Sequence, residues 1–262
     1  MGTTKGKTAV FVSEDELSKE GVARLGRSRE LILLSLVPVS WRHLPAYQID
    51  LAKLENITEI IKRENVTEIA FLGKVPHQTV FTLKQNSAGW QFLQALTNYQ
   101  GETLLKGISN WLEKQGVTIL SLSEIFLNSL ATRGLISGPE PTSGEMIDLE
   151  FGKKVLEALL PFCIGQSVSV KQQTVVAVEA MEGTDEMIKR SGQLCQGFVV
   201  VKMAGQNKDV RFDLPAVGPE TIRNLAAAGG QGIAVKAGQT IIVNQARMKA
   251  LCQETGIFLF GF

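Results

Sequence analysis

The sequence predicts an α/β and α+β chain. An N-terminal Rossmann-like domain with a parallel sheet comes first, and a mixed α+β domain with antiparallel hairpins follows. Three observations lead there. In the first half, short apolar runs alternate with segments whose apolar residues recur at three and four positions. At 133–146 a cluster of Pro, Gly and small polar residues interrupts the pattern. Beyond it, apolar runs come in pairs separated by turn residues.

The first-half strands are read at 8–12, 31–37, 68–75 and 117–122, all short and rich in aliphatic or β-branched residues. Segments 51–65 and 101–116 are read as the covering helices. The domain boundary is placed in the 133–146 break, giving domains 1–137 and 138–262. Thr142, with Glu145 three residues on, has the form of a capping box. It opens a helix to about Leu160 with Ile147, Phe151, Val155 and Leu159 on one face. Three hairpins are then expected, at 167–181, at 197–214 around Gly205, and at 232–243. A helix starting at Gly218-Pro219 separates the last two, with Pro at its first position. A helix at 244–256 and a final strand, Ile257–Phe262, end the chain.

With 262 residues, 44% of them hydrophobic, the chain has enough apolar surface for two ordinary domains. Lys and Arg (27) nearly balance Asp and Glu (26), so no global field gathers nucleic acid or an anionic membrane, and anionic ligands must be met by local groups. Cys163, Cys195 and Cys252 are far apart and form no ligand motif, which points to buried thiols in a reducing, cytoplasmic setting. No apolar run reaches the roughly 18 residues of a spanning helix or resembles a signal peptide, so a soluble chain, at most peripherally attached, is expected.

His43 and His77 are isolated, which argues against a His-rich metal site, and no Gly-x-Ser-x-Gly elbow supports a serine nucleophile. Carboxylates remain. Glu179, Glu182, Asp185 and Glu186 fall where a strand ends and a helix begins near Thr184. They are either helix caps and dipole partners or part of a site. Gly183 and Thr184 at that helix start offer backbone N–H groups to an anion, and acids beside an anion site suit a Mg²⁺-bridged phosphate. Asp213, between Phe212 and Leu214 and just before Pro215, needs a partner or a task, because an unpaired carboxylate among apolar groups costs free energy. If the hairpins share a sheet, Asp213, Glu182 and Asp185 converge as metal ligands. Lys202 and Arg211 on the second hairpin are then placed to clamp phosphate, or else they line a solvent-facing strand edge. Gly218 is either punctuation or a second phosphate-facing helix start.

The stretches IDLEFGKKVLEAL, IGQSVSVKQQTVVAVEAMEGTDEMIKRSG, VVVKMAGQNKDVRFDLPAVGPETI and GIAVKAGQTIIVN, with Glu-Gly-Thr-Asp at 182–185 and Asp-Leu-Pro at 213–215, resemble the UDP-2,3-diacylglucosamine pyrophosphatases of the LpxI type. The resemblance implies a two-domain, Mg²⁺-dependent enzyme of lipid A biosynthesis. Such an enzyme hydrolyses UDP-2,3-diacylglucosamine to UMP and 2,3-diacylglucosamine 1-phosphate by attack of water on the α-phosphorus, with the lipid held between the domains. It implies that Asp213 is the catalytic aspartate, acting as base, metal ligand or both. The substrate-binding candidates are Gln166, Gly183, Thr184, Lys202, Arg211, Gly218 and, from the Gly-Lys-Val at 73–75, Lys74. It also implies an acylated UDP-sugar as partner, weak peripheral membrane contact, no nucleic acid, and a homodimer as an allowed assembly. The first domain departs from the family pattern: Ser13-Glu14-Asp15 stands where a Gly-rich turn is usual.

Two other classes compete with this expectation. One is a catalytically idle relative that binds a lipid or nucleotide sugar as sensor or scaffold, and its mark would be binding without turnover. The other is an oxidoreductase on the Rossmann-like half, which the missing Gly-x-Gly-x-x-Gly disfavours.

Overall fold

The computed structural model describes residues 6–41, 43–75, 81, 83, 85, 87–205, 211 and 214–262. The chain forms two compact units, 1–125 with 209–213, and 126–208 with 214–262.

Unit 1 is a parallel five-stranded sheet. Its strands are β1 (Lys7–Phe11), β2 (Leu31–Ser35), β3 (Ala46–Gln48), β4 (Val66–Phe71) and β5 (Thr118–Ile119), ordered β3-β2-β1-β4-β5. The order reverses between β1 and β4, the usual position of a ligand crevice in doubly wound sheets. The helices are α1 (Glu16–Leu25), α2 (Leu54–Arg63), α3 (Ala88–Gln94), α4 (Gly101–Lys114) and the single turn α5 (Leu122–Ile125). Ala9 and Phe11 of β1, Ile32 and Leu34 of β2 and Ile69 of β4 share one face with Ile57, Ile60 and Ile61 of α2 and Leu112 of α4. The strand–helix alternation read from the sequence is therefore present. The sequence reading missed α1, α3 and β3, each short and weakly periodic.

Unit 2 begins with β6 (Gly134–Ser137) and α6 (Ser143–Leu159), followed by the hairpin β7 (Ser167–Lys171) and β8 (Thr174–Val178). Next come α7 (Thr184–Leu194), β9 (Val199–Lys202), β10 (Ala216–Val217), α8 (Pro219–Ala227), β11 (Gly232–Val235), β12 (Ile241–Ile242), α9 (Gln245–Thr255) and β13 (Phe258–Gly261). The main sheet runs β6-β13-β11-β9-β7-β8, and β10 pairs with β12 apart from it. Strands β9, β11 and β13 are parallel, whereas β7, β8 and β6 pair antiparallel to their neighbours. The sheet is thus mixed, as expected. Residues 126–137, read from sequence as the end of the first domain, fall in this unit, where β6 pairs with β13.

Two of the three expected hairpins are corrected. Both edges of β9 are occupied, by β11 and β7, so no edge is left for a second strand of that hairpin; 206–210, 212 and 213 lie outside the described residues, and Arg211 lies in a turn within unit 1. Likewise β11 lies between β9 and β13, and β12 pairs instead with β10. The hairpin β7–β8 does form, on a two-residue loop in which Gln172 and Gln173 both have positive φ. Buried Asp148 on α6 steadies this loop, accepting from the amides of Gln172 (2.9 Å) and Gln173 (2.6 Å).

The capping box of Thr142 and Glu145 is complete in both directions. The fully buried stripe of α6 is Leu149, Gly152 and Leu156; of the expected face, Phe151 and Val155 pack partly buried against the same core, while Ile147 is exposed. The cysteines are all free, and only Cys252 is buried. Cys195 is half-buried and Cys163 exposed, contrary to the expectation of three buried thiols.

Candidate active site

Strand alternation builds the polar centre of unit 2. Val199 and Val201 of β9, and Val168 and Val170 of β7, face α6. Val200 faces the opposite side, where Met187 and Ile188 of α7 pack. The period of two therefore sends Lys202, the last residue of β9, and Ser167, the first of β7, toward α7. The register pairs them directly. Glu179 follows β8 with the same parity, and its amide donates to the Ser167 carbonyl (2.9 Å).

The resulting cluster lies where the parallel strand β9 ends, the sheet edge at which α/β proteins bind ligands. The Lys202 ammonium donates to the Thr184 hydroxyl (2.6 Å) and to Ser167 Oγ (3.3 Å). It lies 3.8 Å from Glu179 Oε2. That same oxygen accepts from the Thr184 hydroxyl (3.0 Å) and the Gln166 amide (3.4 Å). Lys202 and Glu179 are both buried, their side chains 7% and 11% exposed, so their charges need these partners. Close approach positions Gln166: a Cβ on Gly165, whose φ is +55°, would come within 2.1 Å of the Glu179 carbonyl oxygen.

Helix α7 starts beside this cluster on Gly183, at φ +85° and ψ 169°, a region accessible essentially to glycine, with no side chain capping the first turn. A helix start without a side-chain cap offers its N–H groups and positive dipole end to an anion. Asp185 in this turn is half-buried, and its Oδ1 is buried with no hydrogen-bond partner. Glu182 is committed elsewhere: Arg190 donates to one of its oxygens (2.5 Å) and the Ala180 amide to the other (3.1 Å). Burial works to raise the Glu182 carboxyl, but its own amide, Arg190 and the Ala180 amide together hold it below the ordinary carboxylate range.

The structure thus brings together Gln166, Gly183, Thr184, Asp185 and Lys202. Gly218 starts α8, also without a side-chain cap, and belongs to the β10–β12 region. Arg211 and Lys74 belong to unit 1. There Arg211 pairs with Glu113 (2.8 Å) and its carbonyl accepts from the Leu122 amide, while the Lys74 amide donates to Ser13 Oγ (3.1 Å). Asp213, the expected catalytic residue, lies outside the described residues, as does His77. His43 is exposed. Among the described residues no three His, Cys, Asp or Glu side chains gather to hold a metal, and no helix is long and apolar enough to cross a membrane. Sequence reasoning did not assign Ser167, and it named Glu179 only within the acidic group that also holds Glu182, Asp185 and Glu186. Counting back from the Gln172-Gln173 loop would have placed Ser167 and Glu179 at the open end of the hairpin.

The sequence description of the LpxI C-terminal domain matches residues 132–260, and that of the LpxI N-terminal domain matches 29–129. The chain belongs to the LpxI family. The UDP-2,3-diacylglucosamine pyrophosphatase LpxI of Caulobacter vibrioides is 26% identical over 241 residues, spanning 87% of this chain and 86% of that relative. Among solved structures, a GalE-like L-threonine dehydrogenase from Cupriavidus necator aligns over 87% of this chain and 64% of its own, at 12% identity and TM-score 0.32. A partial consensus L-threonine 3-dehydrogenase aligns over 94% and 88%, at 13% identity and TM-score 0.32. Within this LpxI-family chain, the Lys202 cluster and the start of α7 both lie inside the matched C-terminal domain.

Proposed function

We propose that this chain is a pyrophosphatase acting on UDP-2,3-diacylglucosamine in lipid A biosynthesis, releasing UMP and 2,3-diacylglucosamine 1-phosphate. The observation that carries the reading is the buried Lys202–Glu179–Thr184 cluster beside the uncapped start of α7, inside a chain matched along most of its length by the two LpxI domains. Lys202 supplies positive charge to a phosphate, and the amides following Gly183 supply directed donors to its oxygens. Glu179 and Ser167 hold the Lys202 ammonium and Thr184 in place, and Gln166 borders the same cluster.

In this reading the metal is Mg²⁺. This ion commonly binds through one or two carboxylates and completes its shell with substrate oxygens and water, so a protein cage of three ligands is not required. Of the three carboxylates this reading assigns to the ion, Asp185 offers an unpartnered buried oxygen, Glu182 is engaged by Arg190 and Ala180, and Asp213 lies outside the described residues. When bound, the ion would neutralise charge on the pyrophosphate and polarise its phosphorus–oxygen bonds. Asp213 orients the attacking water or accepts its proton. The acylated substrate requires the protein to meet a membrane surface, and the nearly balanced charge makes that contact weak.

The test is release of UMP from UDP-2,3-diacylglucosamine by purified protein, with Mg²⁺ or with chelator, comparing wild type with Asp213→Asn and Asp185→Asn. Mg²⁺-dependent release that falls at least about a hundredfold in Asp213→Asn supports the reading. Substrate that binds without turnover in every condition replaces it with the idle-binder reading.

A further inference from the structure

Unit 1 has the strand order of a nucleotide-binding layer, yet the place where such a layer meets phosphate is already filled. Asp15 caps α1 by accepting from the Ser18 amide (2.7 Å), and Ser18 Oγ accepts from the Ser13 amide (3.1 Å). Ser13 donates its hydroxyl to the same Asp15 carboxylate (2.5 Å). Glu14 adds a second negative charge and accepts from the Ser40 amide (2.5 Å). A phosphate approaching the end of β1 would meet two carboxylates and an occupied helix start.

Immediately behind those strand ends is a partly open cavity of about 260 Å³. It extends from Phe11 at the end of β1 and Phe71 at the end of β4 to Leu104, Ile108 and Trp111 on α4. Every lining residue among those described is aliphatic, aromatic or glycine. Such a space gives water no partners, and it takes up apolar ligands instead. An apolar cavity of about 150 Å³ accommodates benzene. By that scale this one has room for about ten carbons of a chain.

We infer that unit 1 is a lipid-tail module: the cavity under α3 and α4 holds one acyl chain of the substrate, entering past the carboxyl ends of β1 and β4. This rests on the proposed function for the identity of the lipid, and on the cavity and the closed α1 start for the mode of binding. The chain lies along Phe11 and Phe71 with its end toward Trp111. Unit 1 therefore measures acyl length.

Terminally brominated decanoate tests the inference directly, because bromine quenches indole emission only at short range and Trp111 lines the cavity. Full-length Trp90→Phe protein, which lacks the other indole carried by a helix over the cavity, should show saturable quenching that unbrominated decanoate reverses and that adding Trp111→Phe abolishes. Leu104→Phe takes the space of about one methylene and should weaken binding about fourfold. The same variant should raise KM about fourfold for substrate with long acyl chains and leave a short-chain analogue unchanged. Hydrolysis without saturable quenching would overturn the tail module and leave the pyrophosphatase reading intact. Quenching without hydrolysis under any condition would overturn that reading and keep the cavity as an acyl site. If Leu104→Phe does not fold, the Trp111→Phe comparison alone decides: quenching that persists in it contradicts the assignment.

Discussion

Replacing Lys202 with Met keeps most of its apolar stem and removes the ammonium, leaving the Glu179 carboxylate buried with only the Thr184 hydroxyl and the Gln166 amide beside it. At 3.8 Å, two unit charges attract by about 4 kcal/mol at an effective dielectric near 20, and desolvation of both groups opposes that gain. The net value of the pair is therefore small, whereas the cost of breaking half of it is large, about 3–5 kcal/mol. Glu179→Gln alone should cost less, because the amide oxygen still accepts from Thr184. The double variant buries no charge in this pair and should recover part of the loss, giving a coupling of about 1–3 kcal/mol. Trp41, Trp90 and Trp111 all lie in unit 1, so tryptophan emission does not report on unit 2. Hydrogen exchange of the Val199–Lys202 segment gives the opening free energy where it matters. Effects that add within about 0.5 kcal/mol, or a Lys202→Met loss below about 1 kcal/mol, would refute the claim that these charges depend on one another.

Asp148→Ala removes a carboxylate holding two amides of the Gln172–Gln173 loop and should destabilise unit 2 by about 3 kcal/mol, measured by exchange in β7 and β8. Glu64 accepts from the Tyr47 hydroxyl (2.7 Å) and from Lys7 (2.9 Å), which together hold its carboxyl down at about 2, Tyr47 being the larger cause. A carboxylate with a depressed folded pKa contributes stability above its ordinary value of 4.5 and loses it as pH falls toward 2. Tyr47→Phe should raise the Glu64 titration toward 4.5 by NMR and shrink the acid loss across that window. Burial pushes the Cys252 thiol up to about 11, so a thiol reagent at pH 8 should label exposed Cys163 quickly and Cys252 only on unfolding.

What the sequence made legible was local. Thr142 and Glu145, the Gly183–Thr184 helix start and the β7–β8 hairpin all depend on residues within a few positions of one another, and each is present as read. Lys202 and Thr184 were both read as substrate-binding residues, but their contact with each other and with Ser167 and Glu179 was not, because it depends on β7 lying between β8 and β9, an order no neighbouring residue encodes. The same blindness produced the two false hairpins. Turn residues in 197–214 and 232–243 suggested antiparallel return, while β11 and β7 take both edges of β9, and β9 and β13 take both edges of β11. Arg211 was assigned with Lys202 on the strength of that absent hairpin, and its partner is Glu113 of unit 1. The cavity of unit 1 was invisible for another reason: its lining is indistinguishable in sequence from ordinary core.

The most direct measurement is hydrolysis of UDP-2,3-diacylglucosamine in oxygen-18 water with Mg²⁺, the products resolved by mass. The account predicts UMP and 2,3-diacylglucosamine 1-phosphate with one heavy oxygen on one of the two phosphates, which marks the phosphorus attacked, and neither product from Asp213→Asn. Intact substrate after incubation with folded, Mg²⁺-loaded wild-type protein would contradict it.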